Sequence, residues 1–385
     1  YTIHIANGTY TGTDNMNQTI NKANIALVAE SKGGVVLNGE TINRAFDIKA
    51  NNVTLDGINF TKGIGNPDKI NCGFINIPTN NIIFTMKNCS FYETNTFQGM
   101  IWSTPNNVSL IIDNCKFNCE RCSRGAIWLS GGCLNISNTI FYSTDKSIYS
   151  GSSIFTQAKI NYVTNCTFYN IYAGSVFEAK NCPDGTFNFT HCNFTNNHNT
   201  VSGSIYIDPA NTTTYVNDCI FDNNTADNKG GAILASGNLE VYNSNFTDNY
   251  AGYYAGAIYT GNLNYHSYLI VDNCTFNHNG ASGYNTGTEG TNPPGAGVIY
   301  ILGSANITDS NFTNNFISKD LSLNIGSSGA VFYIRQGNNL NITSCNFINN
   351  SALNSKTYTA GSIAYGNQGY GGVIAADPGS ILTVH

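Results

Sequence analysis

The sequence is poor in charged side chains, which make up 10% of its 385 residues where about a quarter is usual. It has 17 Lys and Arg against 23 Asp and Glu, and a formal net charge of −6. A nucleic-acid-binding protein needs a basic stripe on its surface. The sequence has only four arginines, Arg44, Arg121, Arg124 and Arg335. They cannot supply such a stripe, so nucleic acid is excluded as a partner.

Long apolar runs are missing as well. No stretch approaches the roughly 18 apolar residues of a membrane helix, so we expect no membrane span in this segment. No signal peptide is visible, because Tyr1 begins directly in an alternating, strand-like segment. Ile381 to His385 resemble the start of a further strand, and exposed strand edges invite aggregation. We therefore expect the sequence to be a piece of a longer chain, or to be followed by a cap or a partner subunit.

What the sequence does contain is a repeat built on phenylalanine. Eleven phenylalanines recur at intervals of 24 to 36 residues. The residue five positions before each of them is apolar, and the residue two positions before is usually small, most often Cys. Asn is frequent three positions before, and a Gly with two or three hydrophobic residues follows each anchor. The anchors are Phe60, Phe91, Phe117, Phe141, Phe168, Phe194, Phe221, Phe246, Phe276, Phe312 and Phe347.

This repeat predicts an all-β fold, the right-handed single-stranded parallel β-helix. Each unit contains short stretches that alternate apolar and polar residues, as in Leu239-Glu240-Val241, which is typical of strands. One unit cannot bury its apolar face alone, so the units must stack. Stacked coils place equivalent side chains about 4.8 Å apart, and strand crossovers are right-handed. A β-propeller is excluded because its units are longer, about 40–45 residues.

We predict a single solenoid domain over residues 1–385, with roughly 12–13 coils at that strand spacing. Residues 1–54 form divergent N-terminal coils, and residues 55–385 carry the regular Phe and Gly repeats.

Insertions into the repeat all fall between a Phe and the following Gly, which is one corner of the coil. They become long at Asn279–Gly295, Asn315–Ser328 and Ser351–Gly371. Long loops along one edge of a solenoid are a common place for a binding surface. The alternative is that loops tolerate insertion at little cost, about 0.6 kcal/mol for each doubling of length.

Tyrosines are dense at that corner, where they could stack on sugar rings or contact another protein. The alternative is that they cover the ends of coils. Tyr250 lies in the same region. The candidate binding residues are Tyr253, Tyr254, Tyr284, Tyr358, Tyr365 and Tyr370.

Seven of the twelve cysteines lie two positions before an anchor Phe, where Ser244, Ser310 and Thr139 also occur. The position therefore requires a small buried side chain, and we interpret these cysteines as free buried thiols. Cys119 and Cys122, near Cys115 and Cys133, have a zinc-like spacing. A local disulfide and free thiols are the alternatives, and we predict no metal and no cofactor. Cys72 and Cys182 have no assigned role.

Asn-x-Ser/Thr sequons are frequent, but a chain so rich in Asn and Thr produces them by chance. Several coincide with the repeat itself, as at Asn193-Phe194-Thr195. The candidates for N-glycosylation are Asn7, Asn107, Asn211 and Asn306.

Two motifs that follow each other in the sequence resemble the repeats of known protein families. Phe221-Asp222-Asn223-Asn224 followed by Gly230-Gly231-Ala232-Ile233 is similar to the repeats of the chlamydial polymorphic membrane proteins. It also resembles the Asn- and Thr-rich adhesin-like surface proteins of methanogenic archaea. The resemblance implies an extracellular parallel β-helix, of the pectate-lyase-like kind, that serves attachment. It carries no binding residues over, because the shared motifs are structural.

Parallel β-helices also include enzymes that cleave polysaccharides, and glycoside hydrolysis needs two carboxylates about 5–9.5 Å apart. Equivalent positions of neighbouring coils hold no carboxylate pair. Asp222 lies between Thr residues, and Asp248 lies between Asn223 and His278. Glu178 and Lys180, with Asp184, form one grouping that a lyase could use, or an ordinary ion pair. We therefore predict no catalytic residues.

The sequence as a whole favours a non-catalytic, extracellular adhesin-like or surface-structural protein. Its expected partners are the glycans or proteins of a host or neighbouring cell, or sister copies in a surface assembly. The alternative is a polysaccharide lyase or glycoside hydrolase acting on a face of the β-helix.

Overall fold

A computed structural model describes residues 1–63, 73–94, 99–119, 122, 124–144, 151–261, 267–282, 295–318, 329–353, 373–377 and 379–385. The described residues form short strands and turns, without a helix. No helix among them has the length and apolar character needed to cross a membrane. Strands pair in parallel, and each pairs with the equivalent strand one coil away.

The chain divides into two compact units, Tyr1–Asn193 and Phe194–His385. Three strands a coil run through the first unit, and a fourth appears at Tyr172–Ala173. Its first sheet contains Thr2–Ile5, Ile25–Ala29, Val53–Asp56, Ile82–Lys87, Val108–Asp113, Gly132–Ser137, Ile160–Thr164 and Thr186–Thr190. Its second contains Gly8–Tyr10, Val35–Asn38, Ile58–Thr61, Ser90–Tyr92, Lys116–Asn118, Ile140–Tyr142 and Thr167–Tyr169. Its third contains Gln18–Ile20, Phe46–Ile48, Ile75–Ile77, Ile101–Ser103, Ile127–Leu129, Ile154–Thr156 and Phe177–Ala179. The strand Asn193–Thr195 lies at the division between the units.

The second unit uses four strands a coil. Its first sheet contains Thr213–Asn217, Asn238–Tyr242, Tyr268–Asp272, Ser304–Thr308, Asn339–Thr343 and Ile381–Val384. Its second contains Ile220–Asp222, Asn245–Thr247, Thr275–Asn277, Asn311–Thr313 and Asn346–Ile348. Its third contains Ile205–Ile207, Ile233–Ala235, Ile258–Thr260, Ile299–Ile301, Phe332–Ile334 and Ile374–Ala376. Its fourth contains His198–Asn199, Thr225–Ala226, Tyr250–Ala251, Gly280–Ala281, Phe316–Ser318 and Ser351–Leu353.

The anchor phenylalanines lie inside the coils, each in register with its counterpart in the next coil. Phe221 stacks on Phe194 with ring centroids 4.9 Å apart and on Phe246 at 4.8 Å. In the first unit, Phe91 stacks in the same way between Phe60 and Phe117, at 4.7 and 4.8 Å. Burial and ring stacking both stabilise such a column. The predicted parallel β-helix is thereby confirmed.

The small residue two positions before each anchor is buried at the corner between the first and second sheets. Cys274 is 1% exposed, and its Sγ donates to the carbonyl oxygen of Asp272 at 3.2 Å. Ser244 and Ser310 occupy the same place and donate from Oγ to a carbonyl in the same way, at 2.7 Å each. Cys89, Cys115, Cys166, Cys274 and Cys345 are free thiols, as predicted, although Cys345 is only half-buried.

The glycines of the repeat mark places where consecutive coils come closest together. A Cβ placed on Gly231 would lie 2.2 Å from the carbonyl oxygen of Gly256, and one on Gly256 would lie 2.4 Å from that of Gly280. Both are far shorter than any normal contact. The Gly step of the repeat is therefore required by close approach of one turn's backbone to the next.

One expectation about boundaries differs from the structure. The insertions were expected to begin at Asn279, Asn315 and Ser351, but Gly280–Ala281, Phe316–Ser318 and Ser351–Leu353 are strands. In the first unit, parallel pairing already joins Thr2–Ile5 to Ile25–Ala29. The single-domain organisation of the chain stays a prediction.

Candidate functional site

A ladder of buried asparagines fixes the turn between the second and fourth sheets of the second unit. Asn249 Nδ2 donates to Asn279 Oδ1 at 2.9 Å and to the Phe221 carbonyl oxygen at 2.9 Å. Asn249 Oδ1 in turn accepts from the backbone N–H and Nδ2 of Asn224. These side chains are 0% exposed, so their polar atoms depend on each other. This ladder is the structural reason for the Asn three residues after the anchor Phe, as in Phe221-Asp222-Asn223-Asn224, and it holds the next residue of each coil in place.

That next residue starts the fourth sheet and turns its side chain outward. Successive coils place Thr225, Tyr250, Gly280 and Phe316 in one column. The missing side chain at Gly280 leaves room for the Phe316 ring, whose Cζ would lie 2.4 Å from a Cβ there. The Phe316 ring comes 6.4 Å from the Tyr250 ring, centroid to centroid. We name this pair the aromatic platform.

Two carboxylates and a histidine lie beside the aromatic platform. Asp222 ends the strand Ile220–Asp222, which pairs with Asn245–Thr247 so that Asp222 is opposite Thr247. Asp248 follows Thr247 directly in the neighbouring coil. His278 Nδ1 lies 2.5 Å from Asp248 Oδ1, and the His278 ring is 5.4 Å from that of Phe316.

The electrostatics of this group are set by two carboxylates and one histidine. Partial burial, and then the charge of Asp248, raise the pKa of the Asp222 carboxyl. His278 contacts one of the two carboxylates. The described residues that line the cleft include no Lys and no Arg.

Together these side chains line an open cleft of about 500 Å³, a size typical of small-molecule sites. Its polar walls come from the turn after each anchor strand, and its apolar wall is the aromatic platform. We call it the acidic cleft. The described residues that line it are Asn196, Asp222, Asn223, Asp248, Asn249, Tyr250, His278 and Phe316.

Two of the tyrosines singled out from the sequence, Tyr253 and Tyr254, are described, and neither lines the acidic cleft. Tyr254 is only 5% exposed and packs against Tyr300, with ring centroids 5.4 Å apart. Tyr253 is half-buried against the same cluster. Tyr254 therefore offers little surface for stacking on a ligand. Tyr284, Tyr358, Tyr365 and Tyr370 lie outside the described residues, and a binding role for these tyrosines stays a prediction.

The third sheet carries a further aromatic column in each unit. Tyr300 stacks on Tyr259 at 4.9 Å and lies 4.8 Å from Tyr333. Trp102 and Trp128 stack at 4.7 Å in the first unit. Tyr300 and Tyr333 are both 2% exposed, so their column contributes to packing.

The cysteines with zinc-like spacing point in different directions. Cys115 is buried at the corner before the second sheet, with Sγ 3.3 Å from the Asp113 carbonyl oxygen. Cys133 lies in the strand Gly132–Ser137. It is half-exposed and lies on the outer side of this strand, opposite to the buried Leu134. Cys119 is a buried free thiol, and burial raises its pKa. Within the described ranges, no three His, Cys, Asp or Glu side chains are placed to hold one metal ion.

The grouping that a lyase could use is an ion pair. Lys180 Nζ lies 2.5 Å from Glu178 Oε1, and Ser152 Oγ donates to the other Glu178 oxygen. Glu178 is in the strand Phe177–Ala179 and not in a loop.

The acidic cleft was missed because only equivalent positions were compared from coil to coil. Asp222 and Asp248 occupy neighbouring columns, one residue apart. The signal that could have found them is this offset. Asp222 is the first residue after the anchor Phe221, and Asp248 is the second residue after the next anchor, Phe246.

The four candidate glycosylation sites are all exposed. The Nδ2 atom, to which a glycan would be joined, donates at Asn107 to Asn81 Oδ1 at 2.7 Å. At Asn7 and Asn306 it is Oδ1 that is engaged, accepting from Ser31 and from Asn341 respectively.

The fold and the site define a parallel β-solenoid with a repeat-built surface cleft. The family described as Chlamydia polymorphic membrane protein repeat matches residues 218–236. This stretch contains both motifs on which the resemblance was based, so the predicted similarity to these repeats is confirmed. The similarity to archaeal adhesin-like proteins stays a prediction. No curated protein matches the chain.

Several solved structures are similar to the chain at low identity. A mannuronic acid specific polysaccharide family 6 lyase from human gut microbiota is 12% identical, with 90% of this chain and 77% of that chain covered and a TM-score of 0.39. A PL6 alginate lyase in complex with a trisaccharide is 13% identical, with 99% and 90% covered and a TM-score of 0.31. The Streptococcus pneumoniae surface protein and adhesin PfbA is 13% identical, with 100% and 91% covered and a TM-score of 0.30. These likenesses are too distant to assign an activity.

Proposed function

We propose that this chain is a non-catalytic, adhesin-like protein of the cell surface. It contacts the glycans or proteins of a host or neighbouring cell, or sister copies of itself, through one edge of the solenoid. The match of residues 218–236 to a repeat of chlamydial polymorphic membrane proteins supports a surface role. An extracellular location is part of the same proposal.

The observation that carries the proposal is the position of the acidic cleft. Its aromatic platform stands on the fourth sheet, in the strands Tyr250–Ala251 and Phe316–Ser318. The strands Gly280–Ala281 and Phe316–Ser318 of this sheet lie near the start of two insertions predicted from the sequence. An open cleft with exposed polar side chains and an aromatic wall thus lies beside the corner of the coil at which the sequence carries its insertions. Aromatic side chains that are apolar in the ring and polar at the tip are favoured at contact surfaces.

Glycosylation is part of the proposed surface role. Asn7 and Asn306 are the better acceptors, because at Asn107 the Nδ2 atom is already engaged in a hydrogen bond. Asn211 is also exposed and stays a candidate.

The test measures binding of the intact chain to whole cells and to a glycan array. Deleting residues 283–294, which leaves the buried Asn279 and the strand Gly280–Ala281 in place, should preserve the fold and weaken binding. Tyr250→Ala should weaken it as well. Tyr215→Ala is a matched control, since Tyr215 is an exposed tyrosine on the first sheet. Unchanged binding of both altered chains would overturn the proposal.

A second candidate is glycoside hydrolysis, because Asp222 and Asp248 line one cleft. A general acid in such a reaction needs a raised pKa, and the pKa of Asp222 is raised. Release of reducing ends from a polysaccharide, abolished in both Asp222→Asn and Asp248→Asn, would establish an enzyme. No release from a panel of neutral, acidic and basic polysaccharides would leave adhesion as the function.

A further inference from the structure

We propose that the acidic cleft is a binding site for a saccharide that carries a protonated amino group, such as a glucosamine unit with a free amine. This inference deepens the proposed function and rests on it. It follows from three properties of the cleft, which are its shape, its charge and the groups that face it.

The shape provides an apolar wall beside a polar one. The Tyr250 and Phe316 rings are inclined to each other by 34° and lie on either side of Gly280. A sugar ring laid against this aromatic platform covers apolar surface, while its hydroxyl groups reach the Asn196 and Asn223 amides. The cleft of about 500 Å³ has the volume of a site for a small ligand.

The acidic side chains among the residues that line the cleft outnumber the one basic side chain. Asp222 and Asp248 provide two carboxylates, and His278 is the one side chain among the lining residues that can become positive. A uronic acid polymer would bring further negative charge against these carboxylates and would be repelled. An ammonium group is attracted by both carboxylates and by the faces of the neighbouring aromatic rings.

The pKa of Asp222 supports this assignment. It is raised first by burial and then by the charge of Asp248, so the two carboxylates are close enough for the charge of one to act on the other. A bound ammonium group beside them would lower the pKa of Asp222 again.

The test uses isothermal titration of the intact chain with three tetrasaccharides. These are a glucosamine tetramer, the N-acetylated tetramer, which has the same backbone without the charge, and a galacturonate tetramer. The glucosamine tetramer should bind at least about tenfold more tightly than the N-acetylated one, and the galacturonate tetramer should not bind. Equal affinity for the first two, or preference for galacturonate, would overturn the inference.

Variants locate the binding. Asp222→Asn and Asp248→Asn should each weaken glucosamine binding by about tenfold or more with unchanged circular dichroism. Asp208→Asn removes the same charge from an exposed position outside the cleft and should have no effect. Equal loss in all three variants, or loss in none, would overturn the assignment of the site.

The dependence on pH has a defined direction. Lowering the pH protonates Asp222, whose carboxyl pKa is raised by burial and by Asp248. The amine of glucosamine gains its charge as the pH falls, so affinities are compared below the pH at which the amine is fully protonated. In that range the loss of the Asp222 charge makes the cleft less negative, and affinity for the amine should fall as the pH falls further. Affinity that rises on this further acidification would contradict the proposed contacts.

Failure of this inference and failure of the proposed function give different results. If the intact chain binds cells but the glucosamine tetramer does not bind, the inference is overturned and the surface role stands. If the tetramer binds but neither cells nor any glycan on an array bind, the proposed function is overturned and the site assignment stands.

Discussion

Asparagine has two separate structural roles in this chain, which depend on its place in the coil. Asn243 and Asn273, three residues before an anchor, adopt positive φ angles of 50° and 51°. Asn tolerates this left-handed conformation better than most residues. Asn249 and Asn279, three residues after an anchor, are buried and form the ladder that bonds one coil to the next. The abundance of asparagine is therefore largely a requirement of the fold.

The buried ladder predicts a large cost for removing one of its members. Asn279→Ala deletes a donor to the Phe246 carbonyl oxygen and to Asn315 Oδ1, and an acceptor for Asn249. Each polar group left unsatisfied costs about 1–3 kcal/mol. Urea unfolding should show a loss of stability of at least that size. Asn311→Ala removes an exposed acceptor of an Asn346 hydrogen bond and should cost far less. Similar losses for the two variants would contradict the role of burial.

The cysteines predict a graded reactivity toward an alkylating reagent. Burial raises the pKa of the Cys274 thiol to about 12, and this side chain is 1% exposed. Cys133 is half-exposed on the outer side of its strand. Mass spectrometry after brief treatment of the folded protein should find the label on Cys133 and not on Cys274. In urea both should be labelled. Labelling of Cys274 in the folded protein at the rate of Cys133 would show that the reagent reaches the interior of the coil.

At the scale of elements, the repeat positions are set by contacts between coils. Strands of three to six residues are too short to be stable alone, and each depends on the strands above and below it. Along the chain, the anchor Phe comes first in each repeat, the buried Asn follows three residues later, and the Gly step comes after both. The Gly step is the most restrictive, since its neighbours are backbone atoms that cannot rotate away.

Gly256 therefore predicts a test of coil spacing. Gly256→Ala would place a Cβ 2.4 Å from the Gly280 carbonyl oxygen and 2.5 Å from the Gly280 nitrogen. Relieving such overpacking costs about 1–3 kcal/mol or more, which thermal unfolding should detect. Gly337→Asn is the control, because nothing lies within 4 Å of a Cβ there and Asn tolerates its φ of 78°. An unchanged melting temperature for Gly256→Ala would mean that the coils can separate locally.

At the scale of the whole molecule, stability depends little on charge. The ion pairs among the described residues are few, and several are well exposed, as in Lys62 with Glu93, whose side chains are 50% and 61% exposed. Exposed pairs contribute only about 0–1 kcal/mol. Apolar columns and hydrogen-bonded ladders provide the rest.

This balance predicts a weak response to salt. Raising NaCl from about 0.05 to about 0.5 M, which shortens the Debye length severalfold, should move the melting temperature by no more than about 2–4 °C. Differential scanning calorimetry would measure the shift, and KCl would control for effects of one particular cation. A much larger change would mean that surface electrostatics, and not the buried columns, holds the coils together.

The sequence by itself determined the fold, because stacking places like residues on like residues. The recurrence of Phe221 and Phe246, with their apolar and small neighbours, was enough to predict a parallel β-helix and buried thiols. It did not reveal the short strands Gly280–Ala281 and Phe316–Ser318 near the start of the predicted insertions.

Only the tertiary structure decided the site, since the cleft joins side chains from columns that are offset by one residue. Asp222 and Asp248 look unpaired when equal positions are compared, and the approach of Phe316 to Tyr250 depends on the space above Gly280. Burial likewise separated Tyr254 from Tyr250, which the sequence could not distinguish. Repetition fixes which residues stack, whereas the direction and exposure of each side chain depend on how neighbouring coils pack.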